Sequence, residues 1–308
     1  NVVHNKMNSE SKKTISASSK SALIIACFFW AASFIASKIA LENVPPLTVV
    51  FFRLLISTFC FLLWWYFRGN RIPKNIIKKN KGKILLLSLF GTGLHYSIQT
   101  IGISYTTASN ASLYAATGPI IITILAVFFL NERLTFKKIM GIGIAFIGVL
   151  LVLGVDKVIH LSFGRHIIGD ILVLISIFMW GIFTVLGKNL MKHISPIDLT
   201  AIITIIGTLY MAPAALVEIL IRNFSLAHIP ISALLSILFL GMTCSFLATF
   251  LYVFALDRTE SQKVGVYLYT IPPMSYIIAF LVLKDSISLN LIIGTVVVLL
   301  GVYITEKG

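Results

Sequence analysis

The chain has 308 residues, 58% of them hydrophobic and only 12% charged, with a formal net charge of +14 and a mean hydropathy of +0.97. A soluble domain carries roughly 25% charged residues, whereas here apolar runs long enough to cross a bilayer recur along nearly the whole sequence. The composition therefore points away from a soluble enzyme. It also points away from a nucleic-acid-binding protein, because no soluble basic domain exists to hold a duplex.

Residues 1–20 are rich in Ser and Lys and read as a disordered cytoplasmic tail. Within it, Asn1 to Lys6 precede Met7 and read as an extension. A signal peptide is not expected, since the first apolar run continues too far without a small-residue cleavage site before a soluble domain. Ten spans follow, at about 22–40, 47–67, 84–104, 109–130, 138–153, 171–190, 199–221, 232–256, 264–283 and 289–304. A basic loop, RGNRIPKNIIKKNKGK, separates the second and third spans. Each span must be a helix, because backbone facing lipid has to satisfy its own hydrogen bonds.

An internal repeat organises the spans. Gly91 matches Gly241 at an offset of 150 residues, and Tyr114/Tyr267, Pro119/Pro272, Glu132/Asp285 and Gly141/Gly294 match at 153. Trp30/Trp180 and Lys38/Lys188 also match at 150. Ten spans over two copies gives five per copy, an odd number, so the second copy must enter the membrane from the opposite side. The expected fold is an all-α integral membrane protein of ten transmembrane helices arranged as two inverted five-helix repeats. The repeats occupy residues 21–155 and 171–308, joined by a loop at 156–170. Arg53 is matched by Ile203, so the halves are chemically unequal. Lys and Arg concentrate in the tail and in the loops on its side, which places both termini in the cytoplasm of a multi-pass protein of the cell membrane.

Polar groups at membrane depth are functional candidates by default. Thr92, His95 and Gln99 share a face of the third span, and Ser245, Thr249 and Tyr252 share a face of the eighth. The fourth span offers Asn110, Tyr114 and Thr117 before Pro119, and the ninth offers Lys263, Tyr267 and Thr270 before Pro272. These residues either line a cavity or hydrogen-bond between helices. Trp30 and Trp180, at mid-span, either line the same cavity or fill the core. Pro119 and Pro272 mark kinks or hinges. Lys38 and Lys188 lie near span ends and are expected to snorkel to the interface. Arg53 lies about 10 Å into its span, where a carboxylate or phosphate on a substrate is a natural partner. A backbone carbonyl or Glu42 is the duller one. Cys27, Cys60 and Cys244 have no metal or redox spacing and read as packing residues. No metal site and no cofactor are expected, and the absence of GxxxxGK[ST] rules out ATP hydrolysis at a P-loop.

The stretches FFWAASFIASKIAL, ASNASLYAATGPIIITILAVFFLNERLTFKKIMGIGIAFIGVLLVL and PPMSYIIAFLVLKDSISLNLIIGTVVVLLGVYI resemble the drug/metabolite transporter superfamily, in its ten-helix EamA branch. The resemblance implies an alternating-access secondary transporter, often an exporter, of a small metabolite such as an amino acid. It also implies a cavity lined mainly by helices one, three, four, six, eight and nine. The site residues expected on this reading are Trp30, Arg53, His95, Gln99, Asn110, Tyr114, Trp180, Thr249, Tyr252 and Tyr267. The expected partners are a small-molecule substrate and the lipid bilayer, with the protein a monomer or homodimer. A membrane-embedded lipid-modifying enzyme and a passive channel remain as alternatives. The enzyme reading calls for a carboxylate–His or Ser–His pair, and no acidic residue lies in the span of His95 or in its counterpart.

Overall fold

A computed structural model describes residues 15–68, 74–153, 167–283 and 289–308, and every regular element among them is a helix. Helix α1 (Ala17–Leu41) starts where Ser16 Oγ accepts the backbone N–H of Ser19 at 3.2 Å, satisfying one of the free donors of the first turn. The last four residues of the expected disordered tail are therefore helical. α2 (Pro46–Arg68) begins on a proline, whose fixed φ and missing N–H suit the first helical position. The short α3 (Lys74–Lys79) interrupts the basic loop that the sequence reading left without structure.

α4 runs continuously over Lys81–Tyr105 and contains a π-helical stretch at Leu89–Gly93. α5 (Ala108–Ala115) and α6 (Gly118–Leu130) are two pieces of the expected fourth span. α7 (Phe136–Leu153), α8 (Ile167–Met191) and α9 (Pro196–Ile221) follow, the last capped by Ser195. α10 (Ile231–Arg258) has its own π-helical stretch at Leu240–Ala248. The expected ninth span is also in pieces: α11 (Ser261–Gly265), a 3-10 stretch at Val266–Thr270, and α12 (Ile271–Leu283). α13 (Leu289–Lys307) closes the chain. Of these, α1, α2, α4, α8, α9, α10 and α13 are long and apolar enough to cross a membrane, and α6 is a shorter apolar helix. Large apolar side chains cover the outside of the bundle, such as Phe128, Phe136 and Ile221 at about three-quarters exposed. So much exposed apolar surface belongs in lipid rather than water.

Several helices overrun their apolar runs by up to five residues, because polar contacts hold their ends. At one end of the bundle, here the near face, Lys20 of α1 pairs with Glu306 of α13. At the other, the far face, Glu218 of α9 accepts both the backbone N–H and the hydroxyl of Thr48 in α2, at 2.8 and 2.9 Å. There too, Thr106 donates to Asp170 at the start of α8 at 2.6 Å. α1 thus runs from the near face to the far face, and α8 runs the other way.

Helix pairing repeats across the bundle. α1 packs on α10 and α12, while α8 packs on α4 and α6. α2 packs on α9, where Thr58 and Thr208 share a hydrogen bond at 2.8 Å. α7 and α13 lie antiparallel, with Gly141 against Gly301 and Gly148 against Gly294. In lipid, helices have no hydrophobic drive to associate, so close backbone approach through small residues carries the packing. A Cβ at Gly148 would sit 2.6 Å from the backbone nitrogen of Val298, while one at Gly143 would meet nothing within 4 Å.

The contrast gives a matched pair. Gly148→Ala is expected to destabilise the fold by about 1–3 kcal/mol through overpacking, and Gly143→Ala to leave the melting temperature unchanged or raise it slightly. Thermal unfolding of the two variants in one detergent checks this.

Candidate functional site

The interruptions in the helices set up the site. Thr117 folds its hydroxyl back onto the carbonyl of Tyr114 at 2.7 Å, and Pro119 lies in the first turn of α6. Thr270 does the same to Tyr267 at 2.7 Å, just ahead of Pro272 and Pro273. The sequence reading expected kinks at these prolines. The chain instead breaks about a turn earlier, because proline fits a helix start and its ring obstructs the carbonyl four residues before it. The π-helical stretches were not foreseen. They contain GTG at 91–93 and GMT at 241–243, and such bulges often occur at functional sites.

Between these segments lies a narrow cleft with ≈ 540 Å³ of empty space, open solvent at its mouth included. Five of the expected site residues line it: Trp30, Arg53, His95, Gln99 and Trp180. Ser33, Phe34, Tyr96, Ala115, Ile177, Leu268 and Ile271 complete the wall. The Trp30 and Trp180 rings meet edge to face at 5.2 Å. The His95 ring lies 5.2 Å from Trp180, and its Nδ1 is 2.8 Å from the carbonyl oxygen of Ser176. That carbonyl only accepts, so Nδ1 carries a proton and a neutral ring presents Nε2 as an acceptor. Nε2 makes no hydrogen bond among the described residues.

The other expected residues fall elsewhere. Tyr252 is fully buried behind the wall, 5.1 Å from Trp30 and 5.4 Å from Trp180, and its hydroxyl is 3.2 Å from that of Thr184. Thr249 backs Tyr96 at 3.5 Å. Tyr267 is displaced toward the near face, where its hydroxyl donates to Glu306 at 3.2 Å. It shares a helix face with the site but sits too far along that face. Tyr114 is half-buried and does not line the cleft. Asn110 is in α5, with its side chain outside the described residues. Arg53 contacts neither a carbonyl nor Glu42: its Nε donates to Ser245 Oγ at 2.9 Å, and its guanidinium stacks 4.2 Å over the Tyr96 ring.

Toward the near face the bundle is tied shut. Asn131 ends α6 in a left-handed conformation, φ 53°, which turns Glu132 back across the bundle. The Glu132 carboxylate accepts the backbone N–H groups of Ser261 and Gln262 at 2.8 and 3.2 Å, and Lys188 Nζ at 2.9 Å. Lys188 also donates to the carbonyl of Thr259 at 2.6 Å, so it is held in a part-buried junction instead of reaching out alone to the interface. Lys138 pairs with Glu260 beside it at 2.6 Å. Asp285, matched to Glu132 in the repeat, lies outside the described residues. Lys188 is eight residues beyond Trp180, so the junction sits about 12 Å past the cleft along α8.

Two segments, residues 19–154 and 167–306, each match the model of the EamA-like transporter family. The chain belongs to that family. An uncharacterized transporter of Archaeoglobus fulgidus is 28% identical over 286 residues, covering 92% of this chain and 95% of that protein. The uncharacterized transporter YoaV of Bacillus subtilis is 24% identical over 287 residues, covering 91% and 94%. A protein crystal structure matches with a TM-score of 0.73 at 17% identity, over 94% of this chain and 97% of that one, a likeness of fold. The chain is thus a multi-pass membrane protein of a transporter family.

The junction predicts a pH signature. Burial pushes the Glu132 carboxyl up, but the Lys188 ammonium and the N–H groups of Ser261 and Gln262 outweigh it and hold the carboxyl below the usual carboxylate range. A lowered folded-state value stabilises the fold fully above the unfolded value of about 4.3. That contribution fades as pH falls below it toward the folded value. Wild-type protein should lose stability through this window relative to Glu132→Gln, which has no carboxylate to titrate there. Melting temperatures of both proteins between pH 6 and pH 3 check the difference.

Proposed function

We propose that the protein is a secondary carrier that moves a small metabolite through the central cleft by alternating access. The observation that carries this is a cleft lined by both halves of the chain and tied shut on one side by the Glu132–Lys188 junction. Ser33 and Gln99 lie on the far side of Trp30 and His95 along α1 and α4, which supports a conformation open toward the far face. Opening the other way requires the junction to part and the far ends to close. The broken segments at 116–117 and 266–270 are the flexible points, with Pro119 and Pro272 as hinges.

Ten spans in two inverted five-helix halves fit this reading. The opposite directions of α1 and α8 support it, as do the antiparallel α7–α13 pair and the duplicated family match. In the antiparallel pair, the contact of Gly141 with Gly301 becomes that of Gly294 with Gly148 when the halves are exchanged. α7, and the broken pairs α5–α6 and α11–α12, supply the three spans beyond the seven long ones. Basic residues on the near side support a cytoplasmic position for that side and for both termini. Export is the direction that the resemblance favours. A passive channel needs no closed end, and His95 pairs with a backbone carbonyl rather than with the carboxylate or serine that lipid chemistry would use.

Reconstituted protein should catalyse saturable counterflow of a labelled metabolite. Trp30→Ala combined with Trp180→Ala should reduce it at least tenfold. Flux that rises linearly with concentration and is indifferent to both substitutions would favour a channel.

A further inference from the structure

We infer that the cleft selects organic monocarboxylates with an apolar or aromatic body, and that Arg53 binds the carboxylate. This inference rests on the carrier reading and narrows its substrate. Arg53 is 2% exposed, in the middle of a protein that sits in lipid. A buried cation without a counter-charge is costly, yet no ion pair among the described residues involves it. Its fixed partners are one hydroxyl, Ser245 Oγ at 2.9 Å, and one ring, Tyr96 at 4.2 Å. Nε is used by the serine. The N–H groups of the two terminal nitrogens make no hydrogen bond among the described residues and belong to a side chain that lines the cleft. That arrangement leaves the fork of the guanidinium free for a planar two-oxygen anion.

The rest of the cleft limits what else the ligand carries. Among the described residues no Asp or Glu lines it, so an ammonium group on the ligand would be desolvated without a carboxylate partner. Among the described residues Arg53 is the one Lys or Arg side chain in the lining, and the matching position in the other half is Ile203, so one negative charge is balanced and two are not. His95 offers an acceptor at Nε2, which suits a hydroxyl or N–H on the ligand and not a second anionic oxygen. Trp30, Trp180 and Phe34 supply an apolar wall for the body. These features turn the expectation of an amino acid toward an acid that lacks the amine.

Four probes of similar size separate the possibilities: 3-phenylpropionate, phenylalanine, 2-phenylethylamine and phenyl phosphate, each added to the purified wild-type protein at equal concentration. The inference expects 3-phenylpropionate to raise the melting temperature most. It also expects Arg53→Gln to weaken that effect at least tenfold in concentration. An equal or larger shift from phenylalanine, the amine or the phosphate overturns it, as does no shift from any probe. The wild-type ranking stands even if the variant fails to fold, and an unchanged response in a folded variant also overturns the assignment. Counterflow in proteoliposomes separates the two levels. Saturable exchange of phenylalanine or the amine, but not of the acid, keeps the carrier and removes the selectivity for monocarboxylates. Acid binding without any exchange keeps the site and removes the carrier.

Discussion

One carboxylate holds the near side of the bundle together. Glu132 gathers the ammonium of Lys188 and two backbone N–H groups at the start of α11, so α6, α8 and α11 converge on one point. Charge-assisted bonds of this kind are strong where water is scarce, and each partner is left exposed to a desolvation cost if another departs. The junction is also discrete: it is either made or broken. On the carrier reading proposed above, it is the two-state element at one end of the cleft that continuous deformation of a packed bundle does not supply.

The cleft lies on the other side of the Trp30–Trp180 contact. Its walls come from both halves, but its charge comes from one, through Arg53. The chain matches its family twice, yet the site it holds is asymmetric. Glycine contacts such as Gly148–Gly294 bring α7 and α13 together, while buried side chains such as Phe183, Tyr252 and Tyr269 pack the centre. Polar groups near the cleft are satisfied by local backbone instead, as with Ser176 on Val173 and Thr92 on Ser88. Among the described residues, the terminal nitrogens of Arg53 and Nε2 of His95 make no hydrogen bond, and both side chains border the cleft.

Much of this was legible in the sequence, and the limits have physical causes. Apolar length placed the helices, because a helix in lipid must be apolar for about 20 residues whatever it packs against. It misplaced their ends, which depend on caps and ion pairs such as Ser16 and Lys20–Glu306. The repeat found Trp30 and Trp180 as a pair, and depth in the membrane singled out Arg53 and His95. Helical periodicity gave the face of Tyr267 and Thr249 but not their height along the axis, so both were assigned to the cleft when they stand below or behind it. Lys188 was read from its position alone. Its partner, Glu132, lies 56 residues earlier, and the contact exists only once Asn131 has turned the chain. The π-helical stretches left no periodic signal, since each inserts into an otherwise regular pattern.

The most direct test of the central claim is the accessibility of the cleft from each side. A cysteine at Ser33, in a protein whose Cys27, Cys60 and Cys244 are replaced by Ser, would be labelled with a membrane-impermeant maleimide in right-side-out and in inverted vesicles. Wild-type protein is predicted to label from the far face alone, and Glu132→Gln to gain labelling from the near face. Equal labelling of the wild type from both faces, or a Glu132→Gln pattern identical to wild type, would contradict the account of a cleft closed by this junction.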